Sequence, residues 1–147
     1  MGAFSVTLFP VLLATLPPFL EPEGRTMVMN GFAPFCHQIP SRSPHVMGVQ
    51  LAVGHRTYGI LLGLPLGSFA FLLFRRWERL LAHHLPSVLA IAALPMAIDW
   101  ALGAFDLWGN TPTSRVLTGG FFGLAAAYYV TRGVVPTESC SKVAPSS

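Results

Sequence analysis

Charge is what this sequence has least of. Only 10% of its 147 residues are Asp, Glu, Lys or Arg, against about 25% in a soluble domain. That scarcity excludes intrinsic disorder, which needs high charge and low hydrophobicity. It also leaves too little polar side chain to clothe a water-soluble fold of this size. Cysteine is nearly absent, with Cys36 and Cys140 alone, too few for a disulfide framework or a four-thiolate metal site. Also missing are a phosphate-binding glycine loop with its lysine, a Gly-x-Ser-x-Gly elbow and the cysteine pair of a c-type haem site. What is plentiful is apolar: 52% of residues are hydrophobic and the mean hydropathy is +0.57, a composition whose solvent is lipid. The formal charge of +3 does not indicate nucleic acid. The nine Lys and Arg are dispersed, and the one tight group, Arg75, Arg76 and Arg79, lies between two apolar runs, where membrane proteins keep cytoplasmic positive charge.

Four apolar stretches predict an all-α, polytopic membrane helix bundle of about four transmembrane helices, with spans near 3–20, 51–74, 85–105 and 113–131. A helix crosses the hydrocarbon with about 20 residues. The first stretch contains Pro10, expected to kink it, and the Pro17-Pro18 pair, expected to end it. It lacks a basic start and a small-x-small cleavage site before Glu21-Pro22-Glu23, so it reads as a retained span and not a signal peptide. Residues 1–135 form one domain, and 136–147 read as a disordered cytoplasmic tail. The arginines at 75, 76 and 79, with Arg132 and Lys142, set one cytoplasmic side. Both termini then lie inside a multi-pass protein of the inner (cytoplasmic) membrane. The segment 21–50 and the loop 106–114 face outward. Cys36 and Cys140 fall on opposite sides, so no internal disulfide is expected.

Small residues recur every fourth position in three spans: Gly59, Gly63 and Gly67; Ala93, Ala97 and Ala101; Gly119, Gly123 and Ala127. Helices in lipid associate by close packing, which such stripes permit. Packing within the chain is the expected use, ahead of a homodimer seam. Pro65 and Pro95 should bend the second and third spans.

Against this apolar background Asp99 stands out. It lies six residues before Phe105, about 9 Å from the outer end of its span, where a lone carboxylate costs a few kcal/mol. Arg56 lies five residues into an antiparallel span, about 7 Å deep, and is the natural partner. Arg115, His55 and Tyr58 fall at the same level. The cluster reads either as an ion pair that fixes helix register or as a site for an anion, a proton or a metal. Cys36, His37, His45 and His55 are metal ligands by type, suited to zinc, copper or iron, but their spacing matches no standard motif. His83 and His84, with Trp77, Trp100 and Trp108, suit the membrane interface.

The run Cys36-His37-Gln38-x-Pro40-x-Arg42-Ser43 resembles the opening motif of a family of small prokaryotic membrane proteins designated DUF2085. The family's Cys-x-Arg-x-x-Gly block reads Gly54-His55-Arg56-Thr57-Tyr58-Gly59 here. An Asp within a span matches Asp99, and an Asn-x-x-x-x-Arg-x-x-Thr-Gly block matches Asn110, Arg115, Thr118 and Gly119. The similarity runs from about Phe32 to Tyr129. It implies a polytopic membrane protein with a Cys/His/Arg/Asp cluster and adds Asn110 to the candidate residues. Glycine at position 54, where the family has its second cysteine, argues against paired-thiol redox chemistry.

Three functions follow. In the first, the outward polar cluster of Arg56, Asp99, Arg115, Tyr58 and Asn110 binds a small ligand or ion, or docks the chain as an accessory subunit among other membrane subunits. In the second, Cys36 with His37 or His55 handles a metal. In the third, the chain is a membrane enzyme acting on a thiol or a lipid. The small size and the lack of a catalytic constellation favour the first. The expected partners are the lipid bilayer and other membrane subunits, with no nucleic acid.

Overall fold

The computed structural model describes residues 2–73 and 84–134. The basic loop at Arg75, Arg76 and Arg79, with Trp77 and His83, and the tail holding Cys140 lie outside the described residues. Those described form five α-helices: α1 Gly2–Thr15, α2 Pro22–Phe32, α3 His55–Leu73, α4 Leu85–Ala104 and α5 Pro112–Val134. A two-stranded hairpin, β1 His45–Val46 and β2 Val49–Gln50, lies between α2 and α3.

The proline pair sets where α1 stops. It ends at Thr15, and Pro17–Phe19 continues as a 3₁₀ turn, because successive prolines withdraw the N–H donors a helix needs. The first helix is therefore shorter than the stretch 3–20. Its 14 residues reach about 21 Å. A second departure is α2, which occupies part of the segment 21–50. Its start carries a helix signal, with Pro22 in the first position and Glu23 in the first turn, where a missing N–H costs nothing and an acid favours the helix dipole. The third is the start of α3, at His55 instead of Leu51. Residues Leu51, Ala52 and Val53 are non-helical, bend at Ala52 and Val53, and are fully buried. Their backbone is satisfied from three directions: Leu51 N–H donates to Pro44 O, Ala52 N–H to Ala14 O, and Gln38 Nε2 to Ala52 O. A short buried apolar run can thus lie outside a helix while its composition resembles that of one.

Among the described residues, helices α3 and α5 make the most extensive contact. A Cβ placed on Gly59 would lie 2.2 Å from Val116 O, one on Gly63 2.3 Å from Gly120 O, and one on Gly123 2.2 Å from Ile60 O. Glycine alone lets these two backbones touch. Helix α1 packs on α3, and α4 packs on α5. The alanine stripe of α4 does not form a comparable seam: Ala97 is exposed and Ala92 is the buried residue. The face that α4 turns inward carries Ala92, Asp99 and Gly103, which repeat at helical spacing.

The bundle is small and hydroxylic inside and large and apolar outside. Thr131 Oγ1 donates to Ser68 Oγ at 3.0 Å, and Thr7 Oγ1 lies 3.4 Å from the same oxygen. All three residues are buried and tie α1, α3 and α5 together by interhelical hydrogen bonds. Phe9 and Leu12 on α1, Leu66 and Phe69 on α3, Ile91 and Leu94 on α4, and Leu117 and Phe121 on α5 are all exposed. Such a continuous apolar sheath marks a surface that meets something other than water. Among the described residues one helix, Pro86–Ala104, is long and apolar enough by length and composition to cross a membrane.

Candidate functional site

At the end of the bundle where α3 and α5 begin and α4 finishes, the polar side chains gather on Asp99. Arg56 Nη2 donates to Asp99 Oδ2 as a salt bridge. Ser114 Oγ donates to Asp99 Oδ1 at 2.9 Å. Asn110 Nδ2 donates to Asp99 Oδ2 at 3.2 Å and to the Asp99 backbone oxygen at 2.6 Å. The Asp99 side chain is 10% exposed and that of Arg56 24%. Buried charges persist when paired and hydrogen-bonded, and this carboxylate has three donors. Two atoms at the network's edge, Arg56 Nε and Asn110 Oδ1, are buried with no hydrogen-bond partner.

Local structure fixes these positions. Thr111 Oγ1 accepts the Ser114 N–H and caps α5, with Pro112 at its first position, so Ser114 faces Asp99 from the positive end of a helix. Beyond α4, Asp106 takes a left-handed φ of 53°, and Leu107 N–H returns to Leu102 O at 3.0 Å, a Schellman-type stop. The turn delivers Asn110 against Gly103, where a Cβ would meet Asn110 Oδ1 at 2.1 Å.

Beside the network opens a pocket of about 600 Å³, lined by Cys36, His37, Arg42, His55, Arg56, Trp100, Asp106, Trp108, Asn110 and Arg115 among others. Three arginines, Arg42, Arg56 and Arg115, thus line the pocket with one acid, Asp106. Of these three arginines, only Arg56 has an ion-pair partner among the described residues. Arg115 feels the like charges of Arg42 and Arg56 and the opposite charge of Asp99. The N-termini of α3 and α5 add positive potential, and the C-terminus of α4 subtracts some.

The strap from Cys36 to Ser43 forms one wall. Gln38, at a left-handed φ of 47°, donates from Nε2 to Met29 O at 2.6 Å and to Ala52 O at 2.9 Å, and its own carbonyl accepts from Gln50 Nε2 at 2.7 Å. Cys36 Sγ accepts the Gly54 N–H at 3.2 Å and the Thr57 hydroxyl at 3.8 Å. His55 Nδ1 lies 2.7 Å from Arg42 O. A carbonyl only accepts, so this nitrogen carries the proton.

Of the residues singled out from sequence, Arg56, Asp99 and Asn110 join one network, and Arg115, Cys36, His37 and His55 line the adjoining pocket. Tyr58 is elsewhere: its hydroxyl lies 3.3 Å from Thr15 Oγ1 of α1, about 200° around α3 from Arg56. Cys36, His37 and His55 do not form a ligand set. Among the described residues no three His, Cys, Asp or Glu side chains stand close enough to hold a metal ion. Sequence reasoning missed Ser114, Gly103 and Gln38 as positioning groups. Gln38 carried a signal as part of the Cys-His-Gln run, whereas Ser114 and Gly103 look like any small residue in a helix.

Packed helices that turn large apolar side chains outward and carry a charged cluster at one end are the pattern of a helical membrane protein. The chain belongs to the family described as predicted membrane protein, DUF2085, whose model matches residues 36–129, the stretch that builds the strap, the network and the pocket. An uncharacterized protein of Methanocaldococcus jannaschii is 29% identical over 97 residues, covering 65% of this chain. The matched part spans 60% of that relative's length. No solved structure matches the chain.

Proposed function

We propose that this is a four-span protein of the cytoplasmic membrane whose outward pocket binds a small anion. Arg42 and Arg115 carry the reading. Both reach the pocket, neither has a carboxylate partner among the described residues, and two helix N-termini open beside them. Unpaired guanidinium groups in a concave site are the usual means of holding phosphate or carboxylate, and about 600 Å³ lies within the range of small-ligand pockets. Asp99 neutralises Arg56 and holds it in place, so that it serves as wall and register pin.

The four-span reading draws support from the lengths of α3 and α5, 19 and 23 residues, or about 28 and 35 Å. The apolar sheath on α1, α3, α4 and α5 supports it as well. Helix α1 is short, and the buried segment 51–53 packs against its end, Ala52 N–H donating to Ala14 O.

The test is anion-dependent stability of the full chain in a neutral detergent. Phosphate should raise the unfolding temperature above that in chloride at equal ionic strength, since a ligand at 100 times its Kd adds about 2.7 kcal/mol. Arg115→Gln and Arg42→Gln should each diminish the effect. An identical response to the two salts, or an Arg115→Gln variant that responds as the parent does, would refute the assignment.

A further inference from the structure

The charged network and an apolar cleft share one three-helix face. On α3, Arg56 and Gly67 are eleven residues apart and so about 20° apart around the helix. The same interval relates Gly103 to Ala92 on α4 and Ser114 to Ala125 on α5. At the far end of this face, Phe71, Ala92, Phe121, Ala125 and Tyr128 line an apolar cleft of about 400 Å³. Phe71 and Tyr128 meet there edge to face, ring centroids 5.4 Å apart. Eleven residues of helix rise about 16 Å, close to the depth of one leaflet of a hydrocarbon core about 30 Å thick. Trp100 and Trp108, both exposed, line the charged pocket. Indoles favour headgroup level.

We infer that the pocket's anion is a lipid phosphate, with an acyl chain of the same molecule laid in the apolar cleft. This rests on the anion-pocket reading above. Charge complementarity selects the head, since Arg42 and Arg115 match a phosphate ester and repel a cationic amine. The cleft selects the tail, since it offers aromatic and small aliphatic walls and no cation. Water-soluble phosphate esters share the head chemistry and lack the tail.

The full-length chain in dodecyl maltoside, which contains no phosphate, is titrated with phosphatidylglycerol, glycerol phosphate and diacylglycerol, and binding is read from thermal stabilisation and native mass spectrometry. Phosphatidylglycerol should bind at least about tenfold more tightly than glycerol phosphate, because even two buried methylenes are worth that much. Diacylglycerol should not compete with glycerol phosphate. Ala92→Phe should fill the cleft and bring phosphatidylglycerol down to the affinity of glycerol phosphate. Val88→Phe, at the half-buried rim of the same cleft, serves if Ala92→Phe does not fold. Equal affinities for the two phosphates, with no effect of either phenylalanine, would overturn the lipid assignment and leave the anion pocket standing. Failure of both phosphates to bind would remove both readings. Phosphatidylglycerol binding that survives Arg115→Gln unchanged would identify an ordinary boundary lipid and also overturn the inference.

Discussion

Removing the charge of Asp99 while keeping its shape tests the network directly. Asp99→Asn leaves Arg56 with no counter-ion among the described residues and turns an amide N–H₂ toward groups that donate. Breaking a buried pair from one side costs about 3–5 kcal/mol. Arg56 keeps 24% of its side chain exposed and can lift its head toward water, so a smaller cost, about 2–3 kcal/mol, is expected here. The double variant Asp99→Asn with Arg56→Gln removes the stranded charge and should recover at least about 1 kcal/mol relative to the single, the size of coupling that contacting residues show. Thermal unfolding of the parent, both singles and the double in dodecyl maltoside, followed by circular dichroism and by loss of the monodisperse peak, gives the cycle. A double variant no more stable than Asp99→Asn, or an Asp99→Asn variant within about 0.5 kcal/mol of the parent, would refute the claim that this pair holds α3 to α4.

The glycine seam gives a contrast within one residue type. Gly63→Ala places a Cβ 2.3 Å from Gly120 O and should cost about 1–3 kcal/mol as α3 and α5 are forced apart, whereas Gly31→Ala in α2 meets nothing within 4 Å and should be neutral or stabilising by up to about 1 kcal/mol; equal effects in thermal unfolding would contradict the seam. A Cβ on Gly54 would lie 3.7 Å from Cys36 Sγ, so Gly54→Cys should close a disulfide to Cys36 under mild oxidation and add about 3 kcal/mol. Thiol counting with and without reductant reads it, and two free thiols at those positions after oxidation would show that the strap does not lie against the start of α3. For the topology, Met47 is 82% exposed at the hairpin tip. Met47→Cys should react with a membrane-impermeant maleimide on intact cells, and labelling only after lysis would reverse the orientation.

Much of this molecule can be read from residue type and spacing. Scarce charge and long apolar runs imply lipid, and two glycine stripes four residues apart imply a seam with room for backbone only. Asp99 and Arg56 can be matched because an acid and a guanidinium at similar depth in antiparallel spans have few other places to go. The metal reading shows the limit. Cysteine and histidine identify ligands by type, but whether three of them converge depends on loop geometry, and Arg42 O and the Gly54 N–H occupy His55 and Cys36 with other partners. Tyr58 was legible only as to depth, not as to azimuth, and so fell on the wrong side of α3 to join the cluster.

Composition and periodicity by themselves determined the helical class and pointed to lipid as the solvent, because burying backbone in lipid leaves few alternatives. The tertiary structure alone decided that the segment 51–53 lies buried outside the helix, that Gln38 ties the strap to α2 and to that segment, and that Asn110 and Ser114 complete the Asp99 shell. These contacts join groups far apart in the chain, and no local pattern encodes which distant donor will meet a given acceptor. Their geometry comes from turns such as Asp106 and from close approaches such as Gly103 to Asn110, where a single added carbon would move the whole site.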